Sequence, residues 1–207
     1  MTTAPPLTAP TSSPALRDHR PSDALEVTAL VAGGVLFAVG NALHPLEHDE
    51  AAPEASTWVL SHLTFAVGAL LIAAGLGVLA RRFRGSRTAL AGLGTTWLGM
   101  VLMPASSVAE AYVRPLMGHE GYHAFEEAAA GFAAVAGIAT LLGPVLVAAV
   151  ALRRRLLPPP VSIALVGMTL GLLVSPALPA EGYGIIPGTV LFGLGMAAAG
   201  WLSRTSS

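Results

Sequence analysis

The amino-acid sequence predicts an all-α, polytopic membrane protein: six transmembrane helices in an up-down bundle, with both termini cytoplasmic. Three observations carry that prediction. The chain has 207 residues, of which 54% are apolar and 11% charged, and its mean hydropathy is +0.68. Soluble domains carry roughly 25% charged residues, so this chain cannot coat a globule with charge. Uncharged stretches recur at bilayer length, with 17, 23, 21, 25, 18 and 18 residues at 27–43, 58–80, 88–108, 128–152, 161–178 and 185–202. A bilayer core takes about 20 residues of helix. Finally, all 11 basic residues are arginine, and ten fall on one side of the resulting map.

In chain order, residues 1–22 are rich in Pro, Thr and Ser and are expected to form a disordered cytoplasmic tail, having no apolar core to fold around. A cleaved signal peptide fits less well, because the apolar run that follows exceeds the roughly 7–15 residues of a signal core. Residues 23–204 form the membrane domain, with spans expected at about 24–43, 58–80, 88–112, 124–152, 161–178 and 185–202. No stretch alternates with a period of two, which argues against a membrane barrel. Arg17 and Arg20 precede the first span, Arg81, Arg82, Arg84 and Arg87 fill the second connection, and Arg153, Arg154 and Arg155 fill the fourth. Arg204 follows the last span, leaving Arg114 alone on the other side. Arginine-rich connections stay in the cytoplasm.

The connections on the arginine side are short, at 81–87 and 153–160, which favours antiparallel neighbours. Small residues spaced by four should let helices approach closely: Gly167 with Gly171, Ala133 with Gly137, and Gly193 with Ala197. Gly33 and Gly34 also read as packing positions. Pro104 and Pro144 should kink the spans that hold them.

Several function classes are excluded. The chain has no cysteine, so it has no disulfides, thiolate metal sites or iron–sulfur clusters. Arginine is not interleaved with aromatics along a groove, so no nucleic-acid partner is expected. Phosphate-binding glycine loops and nucleophile elbows are absent.

The remaining ionisable groups are unevenly placed. Nine of the 12 acidic residues and five of the six histidines lie at the end opposite the arginines. Glu47, Asp49, Glu50 and Glu54 read as a solvated loop, joined by His48 and Glu120. The others sit closer to the spans: Asn41 and His44 close the first, His62 lies one turn inside the second, and Glu110 ends the third behind Ser106 and Ser107. His123, Glu126 and Glu127 open the fourth on one helix face. Ionisable groups in spans are costly and usually face a bundle interior or a watery cavity. His44, His62, Glu110 and His123 are therefore expected to converge. Trp58, Tyr112, Tyr122 and Tyr183 lie at the same end, as an interfacial aromatic belt would.

Three functions fit. The first is a membrane-embedded enzyme acting on an isoprenoid- or lipid-like substrate. Glu110, Glu126 or Glu127 would serve as acid and His62 or His123 as base, in a pocket of Asn41, Trp58, Ser106, Ser107 and Tyr112. The plan resembles small polytopic terpene cyclases at class level only, since no motif of that family is present. The alternative is a metal or haem protein, in which His44, His62 and His123 hold zinc with Glu110 beside them, or His62 and His123 ligate haem b. The third is a transporter or accessory subunit, disfavoured because only Thr95, Thr96 and Thr140 lend polarity at mid-span. The partners expected are the lipid bilayer and a lipophilic small molecule.

Overall fold

The computed structural model describes residues 21–47, 49–180 and 182–204. Residues 1–20 of the expected tail, His48 and Glu181 lie outside the described residues, whereas Pro21 and Ser22, also expected in the tail, open the first helix. Every regular element described is helical, and no strand occurs among the described residues. Helix α1 spans Pro21–Ala42, α2 Trp58–Arg82, α3 Arg87–Val108 and α4 Arg114–Arg154. Two short helices follow, α5 at Pro159–Ala164 and α6 at Gly167–Val174, and α7 runs Gly182–Arg204. Four helical stretches are long and apolar enough to cross a membrane: Asp23–Ala42, Trp58–Arg82, Arg87–Arg154 and Gly182–Arg204.

The third stretch covers 68 residues and folds back on itself. Gly99 packs on Thr140, and Gly92 on Leu146 and Val147, so its two arms run antiparallel. The reversal falls at Gly118, whose φ of 68° and ψ of 178° leave the helical region. Only glycine takes that conformation cheaply. Helices α1 and α2 are antiparallel as well, with Gly40 against Phe65 and Gly75 against Leu30. On its other side α1 meets α7 through Gly34 and Gly193.

These interfaces depend on absent side chains. A Cβ on Gly33 would stand 2.5 Å from the backbone nitrogen of Ile72. The pair Gly167 and Gly171 packs on Gly188 and Gly184 of α7, whereas nothing lies within 4 Å of a Cβ built on Gly137, and Ala133 is exposed. The core fills the space between α1, α2, α3, α4 and α7 with Leu30, Phe37, Ile72, Leu79, Met100, Val147, Phe192 and Met196, each almost wholly buried. Mid-helix threonines are satisfied locally: Thr96 donates to the Gly92 carbonyl and Thr140 to that of Ala136, both within their own helices.

The stretch expected as one helix at 161–178 is instead broken at Leu165–Val166, and a 3-10 turn at Ser175–Ala177 finishes it. Val166 sits at φ −92°, ψ 2°, in the sparsely populated bridge region. The break lies where Ala164 and Leu165 meet Gly195 of α7.

The two ends of the bundle differ chemically. At one end, Arg81 on α2 pairs with Asp23 and Glu26 of α1 at 3.1 and 2.8 Å. There too, Arg82 donates to the Leu156 carbonyl and Arg154 to that of Gly85. At the other end, the Gly182 amide donates to the Leu46 carbonyl at 3.1 Å, and Arg114 donates to the Asp49 carbonyl at 2.9 Å. Histidines and carboxylates collect at this second end.

Candidate metal centre

Three ionisable residues converge where α1 ends, α2 begins and α3 gives way to α4. Helix α1 stops at Ala42 because Pro45 follows, and the residue before a proline is pushed out of the α region. His44 stands at that stop, and its Nδ1 donates to the Pro45 carbonyl at 2.9 Å. His62 lies one turn inside α2 with its side chain fully buried. Its Nδ1 donates to the Trp58 carbonyl at 2.8 Å.

Glu110 arrives through irregular backbone. Residues Ala109–Val113 form a π-helical turn, closed by the Arg114 amide donating to the Ala109 carbonyl. Pro115 lies just beyond and offers no N–H to the Ala111 carbonyl, so the ordinary ladder cannot continue there. The wider turn swings Glu110 toward α2, and its Oε2 lies 2.8 Å from His62 Nε2. Turns of this kind often mark functional positions.

Two of these geometries fix protonation. A carbonyl oxygen only accepts, so Nδ1 carries the proton in both His44 and His62, and each Nε2 presents its lone pair when the ring is neutral. One ligand atom each from His44, His62 and Glu110 lie within 4.8 Å of one another. The His62–Glu110 contact shares a proton, held as imidazolium with carboxylate or as imidazole with carboxylic acid. The backbone carbonyls of Pro45 and Trp58 take the outer partner's role that orients metal-binding histidines.

Aromatic rings seal the cluster. Trp58, 1% exposed, lies tilted against His62 at 4.3 Å and His44 at 5.5 Å between ring centres. Its indole N–H donates to the Glu110 carbonyl at 3.1 Å. Phe65 closes the deeper side, 5.4 Å from His62. The Arg114 guanidinium lies over Trp58 at 5.2 Å and over Tyr122 at 5.9 Å.

The other expected residues fall elsewhere. His123 does not join His44, His62 and Glu110; it is 61% exposed and pairs with Glu126 at 3.3 Å, with His119 edge-on at 4.5 Å. Glu127 is exposed beside them. The reversal at Gly118 accounts for this: residues 123–128 are exposed, while Tyr122 packs back onto Arg114. Of the residues expected around zinc, His44, His62 and Glu110 therefore lie together, and His123 lies apart. The expected haem pair of His62 and His123 is not brought together.

Among the pocket residues, Trp58 lines the site, while Asn41 is buried with its amide turned back to the Phe37 carbonyl. Ser107 donates to the Met103 carbonyl rather than to Glu110, and Ser106 and Tyr112 are exposed. Sequence reasoning missed Arg114 and Tyr122 as neighbours of the site. The available signal was Pro115 following an isolated arginine and Glu110 by five residues.

Compared with models of protein families, with curated proteins and with solved structures, the chain gives no match.

Proposed function

We propose that this chain is a six-pass integral membrane protein with both termini cytoplasmic, and that His44, His62 and Glu110 bind a divalent transition metal, zinc first among them. The metal would activate a water for reaction with a lipophilic substrate entering from the outer leaflet. The observation that carries the metal reading is the convergence of three donors with both Nδ1 atoms anchored on carbonyls. Catalytic zinc sites use three protein ligands of this kind and leave a fourth position for water. Zinc ligands stand roughly 3.3 Å apart at bond lengths of about 2.0–2.2 Å, so closure from 4.8 Å is a small adjustment. Two histidines with one carboxylate also suit ferrous iron.

The six passes are supported by the arginine distribution and by the fold-back of the 68-residue stretch, far longer than one crossing needs. The segment 159–177, broken as it is, has the length of a short crossing.

A metal-free reading has one observation of its own, the 2.8 Å bond between His62 and Glu110. That pair can take and return a proton, as acid–base chemistry on an isoprenoid- or lipid-like substrate requires. Elemental analysis of the detergent-purified full chain separates the two readings. The metal reading expects near-stoichiometric zinc or iron, lost on chelation and in His44→Ala and His62→Ala. A well-folded chain that neither retains nor rebinds metal at micromolar concentration would overturn it in favour of the acid–base pair.

A further inference from the structure

The arginine end holds a second site, far in character from the histidine cluster. A cavity of about 310 Å³ opens between the ends of α1, α2 and α7, lined by Asp23, Val27, Val78, Arg81, Arg82, Arg84 and Ser203. Three guanidinium groups face one carboxylate there. The balance is set by placement. Arg81 is held between Asp23 and Glu26 at 3.1 and 2.8 Å, and Glu26 reaches it across Gly77, where a Cβ would stand 2.5 Å from the carboxylate oxygen. Both of those carboxylates thus pair with Arg81. Arg82 is steadied by its Nε donating to the Leu156 carbonyl, and exposed Arg84 makes no ion pair among the described residues.

The depth of the cavity is marked independently. Trp201 on α7 is 55% exposed, and the Arg204 guanidinium lies over its ring at 5.4 Å. Exposed tryptophan stacked with arginine at a helix end is the pattern of a membrane–water interface. Ser203 lines the cavity between these two residues.

We propose that this cavity binds the phosphate of an anionic lipid headgroup at the arginine end of the bundle. Arginine pairs with phosphate oxygens through parallel N–H donors, and basic pockets between helices on the cytoplasmic side are where such headgroups bind. Val27 and Val78 supply an apolar floor that suits a glycerol backbone better than a wholly hydrophilic anion. The same chemistry would hold free inorganic phosphate, so the test must tell the two sources apart.

The full chain, purified in a neutral detergent, is titrated with dioleoyl phosphatidylglycerol, dioleoyl phosphatidylcholine or inorganic phosphate, and bound ligand is counted by native mass spectrometry. Phosphatidylglycerol should be retained in preference, and Arg82→Gln with Arg84→Gln should weaken it about thirty-fold, the effect of two surface charges at about 1 kcal/mol each. Because Arg82 also ties down the connection after α4, Arg84→Gln alone provides a milder variant, expected to lose about fivefold at an unchanged unfolding temperature. Variant-sensitive phosphate binding with no lipid preference would retain the site and make free phosphate its ligand. Equal retention of the two lipids with no variant-sensitive phosphate binding overturns the proposal. So does an equal loss in Arg153→Gln with Arg155→Gln, which removes charge from the same end but outside the cavity.

Discussion

His62 Nε2 lies 2.8 Å from Glu110 Oε2 across 48 residues of sequence, while the other nitrogen of the same ring donates to the Trp58 carbonyl. The imidazole is thus gripped at both ends, in a side chain with no exposed surface. An imidazole packed this way in an apolar bundle must have both nitrogens satisfied, because an orphaned buried polar group costs about 1–3 kcal/mol. Glu110 supplies that partner only because a π-helical turn redirects it. His44, 4.8 Å away between ring centres, turns the pair into a three-donor site.

Replacing Glu110 with Gln tests that arrangement most directly. The amide keeps the shape and can still hydrogen-bond to His62, but it is a much poorer metal ligand and has no transferable proton. Metal content should fall from near stoichiometric to below about a tenth, and any activity that depends on the site by roughly 100-fold or more. The unfolding temperature of the metal-free protein should stay within a few degrees. Full metal retention in Glu110→Gln would remove the carboxylate from the ligand set.

Metal binding should also release a proton. In the metal-free site the proton between His62 and Glu110 must leave before both atoms can ligate, since ligands bind deprotonated. Affinity should therefore fall as pH is lowered and rise as it is raised, with about one proton released per metal bound. Calorimetry in buffers of different ionisation enthalpy measures that number. A value of zero would mean that His62 and Glu110 do not both ligate.

The helical fold, its helices long and apolar enough to cross a membrane, and the unequal ends were legible from the sequence, because hydropathy and arginine placement need no tertiary information. His44, His62 and Glu110 were legible too, since an ionisable group near an apolar span must find company. His123 looked equivalent by the same criterion. Its fate depends on the reversal at Gly118, and a glycine between helical segments does not announce which way the chain will turn. Glu126 and Glu127 share that ambiguity. Arg114 read as an isolated loop charge, because its stacking on Trp58 and Tyr122 brings together residues 56 and 8 positions away. The break at Leu165–Val166 has only the weak local signal of Gly167 behind it, and it lies at a contact with α7 that the sequence does not reveal.

Arg114 should act as a positioning residue for the site. It bridges the Asp49 carbonyl and the Trp58 and Tyr122 rings, and Trp58 in turn holds His62 through its carbonyl and Glu110 through its indole. Arg114→Met removes the charge and the hydrogen bonds but keeps a long apolar side chain. Metal affinity should drop by roughly 10–100-fold, the scale for outer-shell partners of metal ligands, and Arg114→Lys should fall between. If Arg114→Met lowers stability but leaves metal affinity unchanged, the residue is structural only.

Reporter fusions test the membrane map. Fusions at Arg84 and Arg154 should read cytoplasmic and one at Pro53 external, since the six-span map expected from the sequence puts ten of the 11 arginines on one side and such residues resist translocation. Pro53 follows α1 and precedes α2 in the connection that carries the acidic residues. A cytoplasmic signal at Pro53, or an external one at Arg84 or Arg154, would sink the six-pass arrangement as drawn.

Two glycines on one helix test whether close packing holds the bundle. Gly99 and Gly94 both lie in α3, five residues apart. A Cβ on Gly99 would stand 2.6 Å from the Thr140 backbone nitrogen, whereas nothing lies within 4 Å of one on Gly94. Backbone cannot yield as a flexible side chain can, so Gly99→Ala must push α3 and α4 apart, at a cost of about 1–3 kcal/mol. Gly94→Ala adds a methyl group to an open surface and reduces the helix's entropy loss, a gain of about 0.5–1 kcal/mol. The unfolding temperature in detergent should therefore fall for Gly99→Ala and hold or rise for Gly94→Ala. The same shift in both variants would show that helix propensity, and not contact between the arms of the fold-back, governs stability there.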